Sequence, residues 1–281
     1  MVVITDSLHK LARLNYFKHS PDVVVVGGNG FVGRCICKIA AQSGLVPVSI
    51  SVDPCPPVYS EEDKHNYDWV TRTHWREGDA TKPSTWDPHI VDAGCTAMVY
   101  TTKPVYRSKQ RLWECNFEGA LQSIEMARKM HANRFVYIST NFMPPLATQA
   151  ERETKKRAEE ALMEYSKMSL STDSPIGLSI LKPGWIYGGD RISSSVIGLL
   201  CHFLFDWDCK KQPPRNVSSI SVQTLAMAAI CQALDPGLSN TLKLYNHQMQ
   251  IYNDPKARHW LENMAECMYN RKHASCTAYD Y

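Results

Sequence analysis

Residues 23–33 read Val23-Val-Val-Val-Gly27-Gly-Asn29-Gly30-Phe31-Val32-Gly33. Four consecutive β-branched residues without alternation describe a strand covered on both faces, as in a parallel sheet between layers of helix. Beyond them Val32, Ile36, Ile39 and Ala40 recur at helical spacing through Phe31 to Ser43. A strand that runs through three glycines into a helix is the turn that accommodates a dinucleotide. Gly27 permits the sharp turn, Gly30 lets backbone approach a pyrophosphate, and Gly33 lets the helix close on the strand. The helix start then offers free N–H groups and a partial positive charge to phosphates. The competing reading is a tight turn with no ligand.

Downstream the chain alternates regularly. Strands are expected at Val46 to Val52, Thr73 to Arg76, Ala97 to Thr101, Arg134 to Ile138 and Gly177 to Leu181. Long helices are expected at Lys109 to Lys129, with Leu112, Cys115, Phe117, Leu121, Ile124 and Ala127 as its apolar face, and at Glu151 to Lys167. Strand–helix alternation of this kind predicts an α/β fold with a doubly wound parallel sheet and right-handed crossovers. The expected organisation is an N-terminal extension over 1–21, a nucleotide-binding domain over 22–250 with a small C-terminal lobe from about 184, and a tail over 251–281. Residues 53–68 and 208–219 are the loop-rich stretches.

Composition narrows the function classes. The chain has 281 residues, 44% of them hydrophobic, enough for a substantial core. Its longest apolar run, Val196 to Phe205, is interrupted by His202 and falls short of the roughly 20 residues of a spanning helix. A net charge of +3, with basic residues dispersed among acids, argues against nucleic acid as a partner. The ten cysteines form no CxxC pair and no regular framework. They read as reduced thiols, Cys35 and Cys37 inside the first helix, and no metal site is expected.

Several segments together resemble the short-chain dehydrogenase/reductase superfamily in its extended or atypical branch. They are Gly27-Gly-Asn-Gly-Phe-Val-Gly33, Gly78-Asp79-Ala80, Asn116-Phe-Glu-Gly-Ala120, Arg134-Phe-Val-Tyr-Ile-Ser-Thr140 and Leu181-Lys-Pro-Gly-Trp-Ile-Tyr-Gly188, in the family's order over roughly 22–250. Within that branch the chain looks most like two mitochondrial groups. These are the NAD(P)-binding accessory subunits of respiratory complex I and the dehydrogenase-like proteins of coenzyme Q synthesis.

The resemblance makes a demand at the catalytic centre. Active members carry a Tyr four residues before a Lys on the helix after the fifth strand. The Lys lowers the phenol pKa and holds the nicotinamide ribose, while the Tyr moves the proton. Here that Lys is Lys155, the residue four before it is Glu151, and no Tyr lies between Tyr137 and Tyr165. A carboxylate is ionised at neutral pH, whereas a phenol holds its proton to about pH 10. The usual mechanism is therefore expected to be absent, with Ser139 and Lys155 as vestigial catalytic candidates. Ser139 also fits ordinary strand-end chemistry. Lys155 shares its helix with Arg152, Lys156 and Arg157, which together also read as a solvated charged face.

For the cofactor, the resemblance implies contacts from Gly27, Asn29, Gly30, Phe31, Val32, Gly33 and Arg34. It adds Asp79 at the adenine, Thr101 and Thr102 beside the adenosine, and Lys155 and Pro183 further along the site. NAD binders place an acid at the end of the second strand; here Ser51 and Val52 occupy that place, with Asp53 just beyond. Asp53 either bends back or caps its own turn before Pro54. Arg34, directly after the third glycine, suits a 2′-phosphate, so NADP(H) is favoured over NAD(H).

The first 20 residues pair Lys10, Arg13 and Lys18 with an apolar stripe of Ile4, Leu8, Leu11 and Leu14, which fits a mitochondrial presequence, a docking helix or a plain surface helix. Ser194 to Trp207 reads as a helix facing lipid, a neighbouring subunit or the substrate cleft. Seven tryptophans suggest an interface; Trp75 and Trp185 suit core strands, and the polar tail from Ile251 suits wrapping a partner. The resemblance then implies a non-catalytic NAD(P)H-holding accessory subunit, peripheral on the matrix side of the mitochondrial inner membrane, in a large respiratory-chain assembly, with complex I favoured. Its alternative is an NADP-dependent reductase or isomerase acting on a quinone-like or lipid substrate of ubiquinone metabolism.

Overall fold

The computed structural model describes residues 20–56, 68–102, 108–141, 149–188, 219–235 and 241–277. The N-terminal stripe, the Ser194–Trp207 segment and most of the two loop-rich stretches lie outside the described residues.

The centre is a seven-stranded sheet. In chain order its strands are β1 (Val23–Val26), β2 (Pro47–Ser51), β3 (His74–Glu77), β4 (Ala97–Tyr100), β5 (Arg134–Ile138), β6 (Gly177–Lys182) and, last in sequence, β9 (Leu242–Tyr245). They lie in the order β3-β2-β1-β4-β5-β6-β9, every pair parallel, with Val23 opposite Pro47 on one side and Ala97 on the other. The order reverses between β1 and β4. In an open parallel sheet the crevice above that reversal, at the strands' carboxyl ends, is where a ligand sits.

The Val run supplies both cores. Val23 and Val25 face one layer, where helix α1 (Phe31–Gln42) and the almost wholly buried α7 (Val222–Leu234) cover the sheet. Val24 and Val26 face the other, with α5 (Gly119–Lys129) and α6 (Gln149–Ser169). Short helices α2 (Asp68–Arg72), α3 (Pro88–Ala93) and α4 (Lys109–Trp113) complete these connections. A small parallel pair, β7 (Trp185–Tyr187) and β8 (Ser219–Ser221), stands beyond β6. Sequence reading had missed β7, β8 and β9, each only three or four residues long.

The helix expected over Lys109 to Lys129 is continuous but contains a π-helical turn, Glu114–Glu118. The wider turn shifts the helix phase. The inward residues become Leu112, Asn116, Ala120, Ile124 and Ala127, while Cys115, Phe117 and Leu121 are only half-buried. Its carbonyls are taken by the sheet. Tyr100 Oη donates to Cys115 O and Tyr137 Oη to Asn116 O (3.2 Å), the two rings stacked with centroids 5.9 Å apart.

Three further features lie outside what the sequence reading expects. Trp69 and Trp86 are buried, whereas Trp75 and Trp185 are half-buried, because β3 is an edge strand and β7 lies outside the main sheet. The segment after 250 carries helix α9 (Pro255–Thr277), which follows the one-turn helix α8 (Asn246–Met249). Leu261 and Ala265, one turn apart, seat α9 against α7. Third, the region is tied down by a buried polar chain that composition does not reveal. Arg134 Nη1 donates to Ser179 Oγ (2.9 Å), Ser179 to Gln232 Oε1 (3.0 Å), and Gln232 Nε2 to Tyr252 Oη (2.8 Å).

Cys35, Cys37, Cys55, Cys95, Cys115, Cys231 and Cys267 are free thiols, and burial pushes Cys95 and Cys231 up to about 12, so these two behave as small apolar side chains. No helix among the described residues is long and apolar enough to cross a membrane.

Two outcomes follow from packing and burial. Desolvation, with Arg76 adding repulsion, lowers His74 to about 4. The unfolded chain therefore takes up a proton below about pH 6.5 that the folded chain refuses until about pH 4, and stability falls as pH drops through that window. Urea midpoints measured from pH 7 to 4.5 should decline less steeply for His74→Gln than for the wild type. At Gly33 a Cβ would sit 2.3 Å from Gly27 O, so Gly33→Ala should cost at least about 2 kcal/mol in urea unfolding. Gly30, at a φ of −77° and facing only Gly27 O at 3.1 Å, should accept Ala for about 1 kcal/mol or less.

Candidate dinucleotide site at the sheet's reversal point

The β1–α1 loop lies at the reversal point, and its shape is dictated by close approach. Gly27 has a φ of +83°, and a Cβ there would meet Thr101 Oγ1 and Thr102 N at 2.9 Å. Gly28, to which sequence reading had given no role, proves as constrained: its Cβ would lie 2.4 Å from Ser49 Oγ. Gly33 brings α1 onto the Gly27–Gly28 backbone. Gly30 is the N-cap of α1, exposed and extended, and no side chain caps the helix or places an acid in its first turn. Phe31 and Val32 are half-buried in that turn, Val32 against the core. The result is an uncapped helix N-terminus under an open glycine, which suits an anionic pyrophosphate.

Strand β4 closes the loop from the other side. Thr101 Oγ1 donates to Val26 O and Gly27 O, both at 3.0 Å, so this hydroxyl holds the loop's backbone. Thr102 follows, its hydroxyl buried. At the end of β3, Gly78 is pressed between Ile50 and Trp86, and the Asp79 carboxylate accepts from Thr81 N and Thr81 Oγ1, both at 2.8 Å. Asp79 O accepts from Trp86 Nε1 (3.0 Å), which fixes this corner.

The end of β2 resolves the two readings of Asp53. Its exposed carboxylate accepts from Cys55 N at 3.0 Å and so caps its own turn. Asn29 bridges this turn to the glycine loop, and Arg34 Nε donates to Asn29 Oδ1 at 3.0 Å. Ser51, the end of β2, accepts from Asn29 N at 3.1 Å.

The exits of β5 and β6 are organised around a carboxylate. Ser139 Oγ, directly after β5, donates to Glu159 Oε1 at 2.5 Å and is 4% exposed. Glu159 Oε2 also pairs with Lys182 Nζ (2.8 Å) at the end of β6 and with Lys243 Nζ (3.8 Å) on β9. The hydroxyl is thus engaged by a buried, charge-paired carboxylate. Sequence reading overlooked Glu159; its signal was position, one turn after Lys155 and two after Glu151 on one face of α6.

That face separates from the charged one. Lys156 and Arg157 are exposed and pair with Glu160 (3.9 Å) and Glu153 (3.0 Å), whereas Lys155 is half-buried with Nζ 5.9 Å from the Tyr137 ring centre. Glu151 stands buried a turn before it, at 7% exposure. Tyr137 does not substitute for the missing phenol: its hydroxyl is held on Asn116 O, and burial, with Glu159 adding to it, pushes its pKa well up. Pro183 is buried, its carbonyl accepting from Asn141 N at 2.8 Å, which ties the strand-five exit to that of β6. No group of three or more metal-ligating side chains occurs among the described residues.

Comparison with known proteins agrees with this geometry. The chain is 30% identical over 182 residues to an uncharacterised chloroplastic protein of Arabidopsis thaliana, covering 64% of this chain and 55% of that protein. It is 32% identical over 108 residues to MIOREX complex component 2 of Saccharomyces cerevisiae, covering 33% of this chain and 37% of that protein. The matches thus span about half or less of these relatives' length. Among solved structures it resembles vestitone reductase from alfalfa (TM-score 0.56, 16% identity, 81% of this chain and 76% of that one). It also resembles MoeE5 in complex with UDP-glucuronic acid and NAD (TM-score 0.55, 16% identity, 80% and 75%). These likenesses establish the fold. Residues 23–171 match a single family from the Val run through the glycine loop to the end of the Lys155 helix. More than half of the sequence is thereby accounted for, nicotinamide dinucleotide cradle included, and the chain belongs to the NAD dependent epimerase/dehydratase family, of the extended short-chain dehydrogenase/reductase type.

Proposed function

We propose that this chain holds a nicotinamide dinucleotide as a structural group within an organellar protein assembly and does not turn it over by its family's tyrosine chemistry. The observation that carries this reading is the arrangement on α6. The phenol position is occupied by Glu151, and the neighbouring hydroxyl of Ser139 is engaged by Glu159. A group able to pass a proton to a substrate carbonyl is thus missing where the family keeps it, while the cradle for the phosphates is intact.

NADP(H) is the preferred ligand in this reading, with NAD(H) the alternative. Arg34 stands beside the glycine loop, and the Asp53 carboxylate is folded onto its own turn instead of offering itself to a ribose. A bound dinucleotide then stabilises the domain by mass action.

The setting is argued from relatives. The plant protein is described as chloroplastic and the yeast protein as a component of the MIOREX complex, which supports an organelle and a multi-protein assembly. The finer form of the proposal is a peripheral subunit on the matrix side of the mitochondrial inner membrane, an accessory subunit of complex I in its most specific version. A second reading is favoured by Lys155, half-buried with its Nζ 5.9 Å from the Tyr137 ring centre, at the position where the resemblance places the ribose-holding Lys. It is an NADP-dependent reductase or isomerase acting on a quinone-like or lipid substrate.

The deciding experiment is to denature natively purified protein, identify the released nucleotide by mass spectrometry, and follow NADPH absorbance with quinones of increasing tail length. One NADP(H) per chain is expected, with no quinone-dependent oxidation. Adding NADPH at a hundredfold excess over its Kd to emptied protein should raise Tm by about 5–10 °C. An empty protein that shows no thermal shift with either dinucleotide would remove the holding role. Quinone-dependent NADPH consumption that disappears in Lys155→Ala would establish the enzyme instead.

A further inference from the structure

Asn29, in the glycine loop, makes four polar contacts that run to three different segments. Its backbone N donates to Ser51 Oγ (3.1 Å), and its side-chain Nδ2 donates to two carbonyls, Asp53 O (3.1 Å) and Cys55 O (2.9 Å). Its Oδ1 accepts from Arg34 Nε (3.0 Å). The amide orientation is fixed by its neighbours, because the reverse would set Oδ1 against two carbonyl oxygens and Nδ2 against a guanidinium that can only donate. Both amide hydrogens and the amide oxygen are therefore in use.

These contacts couple three parts of the cradle. The two donated bonds hold the turn after β2 against the glycine loop, with Asp53 closed on Cys55 N. The accepted bond sets where the Arg34 guanidinium stands, one turn into α1. The backbone of α1 fixes only the Arg34 Cα, through Arg34 N to Gly30 O (2.8 Å). A long, rotamer-rich side chain would otherwise lose freedom only when a ligand arrives. Asn29 removes that loss in advance. It does so through Nε alone, leaving the two terminal nitrogens of the fork outside this contact, the pair that meets phosphate oxygens bidentately.

We infer that Asn29 is the positioning residue for 2′-phosphate selectivity: by holding Arg34 through Oδ1 and the β2 turn through Nδ2, it makes the cradle prefer a 2′-phosphorylated dinucleotide over its unphosphorylated form. The inference rests on the reading that this site holds a nicotinamide dinucleotide. A residue that merely braced the loop would support both ligands equally, since their pyrophosphates are the same.

The test is a double-mutant cycle on the full chain, titrating NADPH and NADH by calorimetry against wild type, Asn29→Ala, Arg34→Ala and the double variant. Arg34→Ala should weaken NADPH by at least about tenfold and leave NADH within about twofold. Asn29→Ala should lower the NADPH:NADH preference by about five- to tenfold in the wild-type background and change it little when Arg34 is already Ala. Equal loss of both ligands in Asn29→Ala, or an unchanged preference, would overturn the positioning role while leaving the site intact. Equal additional loss of preference in the Arg34→Ala background would also overturn it. Wild-type protein that binds neither ligand would instead defeat the underlying reading. A Tm for Asn29→Ala near the wild-type value is expected, and the preference ratio stays informative even if the variant is less stable, because NADH reports the same loop.

Discussion

Everything at the ligand end of this molecule depends on the distance between one helix and one strand. Gly33 lets α1 lie on the Gly27–Gly28 backbone so closely that a single added carbon would stand 2.3 Å from a carbonyl oxygen. That contact directs α1 across the sheet onto α7 and leaves the helix start aimed over the crevice between β1 and β4. Thr101 from β4, Ser49 and Ser51 from β2 and the β2 turn then close around a loop whose path is already settled. The phosphate cradle is a consequence of packing, and its chemistry is almost entirely backbone.

This is also why so much was readable beforehand. A strand with both faces buried must be apolar throughout, and a close crossing must be glycine, so Val23 to Gly33 carry their structure in residue type. The parallel sheet, its first six strands and the two long helices followed from the same kind of constraint. What escaped had no such signature. The π-helical turn at Glu114–Glu118 depends on two tyrosine hydroxyls arriving from β4 and β5, which no local pattern records. Strand β9 is short and half-buried, and it pairs only because β6 offers an open edge. Gly28 was overlooked because its constraint comes from Ser49, a residue on another strand.

The candidate site divided in the same way. The glycine loop was readable from its residue types, whereas the parts assigned to Arg34, Asp79 and Glu151 came with the family resemblance. The fate of Ser139 was legible in neither. Its hydroxyl donates to Glu159, whose other oxygen meets Lys182 and Lys243, residues far apart in sequence that α6, β6 and β9 bring together. A buried carboxylate between two ammonium groups is costly to leave unpaired, so this cluster is held by mutual need more than by net gain. It cross-links the exits of β5 and β6 and strand β9 to α6.

The parallel pairing of β7 with β8 has a different consequence, for how such a chain diversifies. Trp185 to Tyr187 leaves the domain alongside Ser219 to Ser221, which brings it back in the same direction, and Asn246 clasps the return by donating to Ser219 O at 3.1 Å while its Oδ1 takes Gly184 N at 3.3 Å. The two ends of the intervening chain are thus held at fixed positions by the strand pair and by Asn246. The entropic cost of such a loop rises only with the logarithm of its length. The β7–β8 pair and Asn246 therefore act as an anchor that sets where the chain departs and returns, whatever length of sequence lies between.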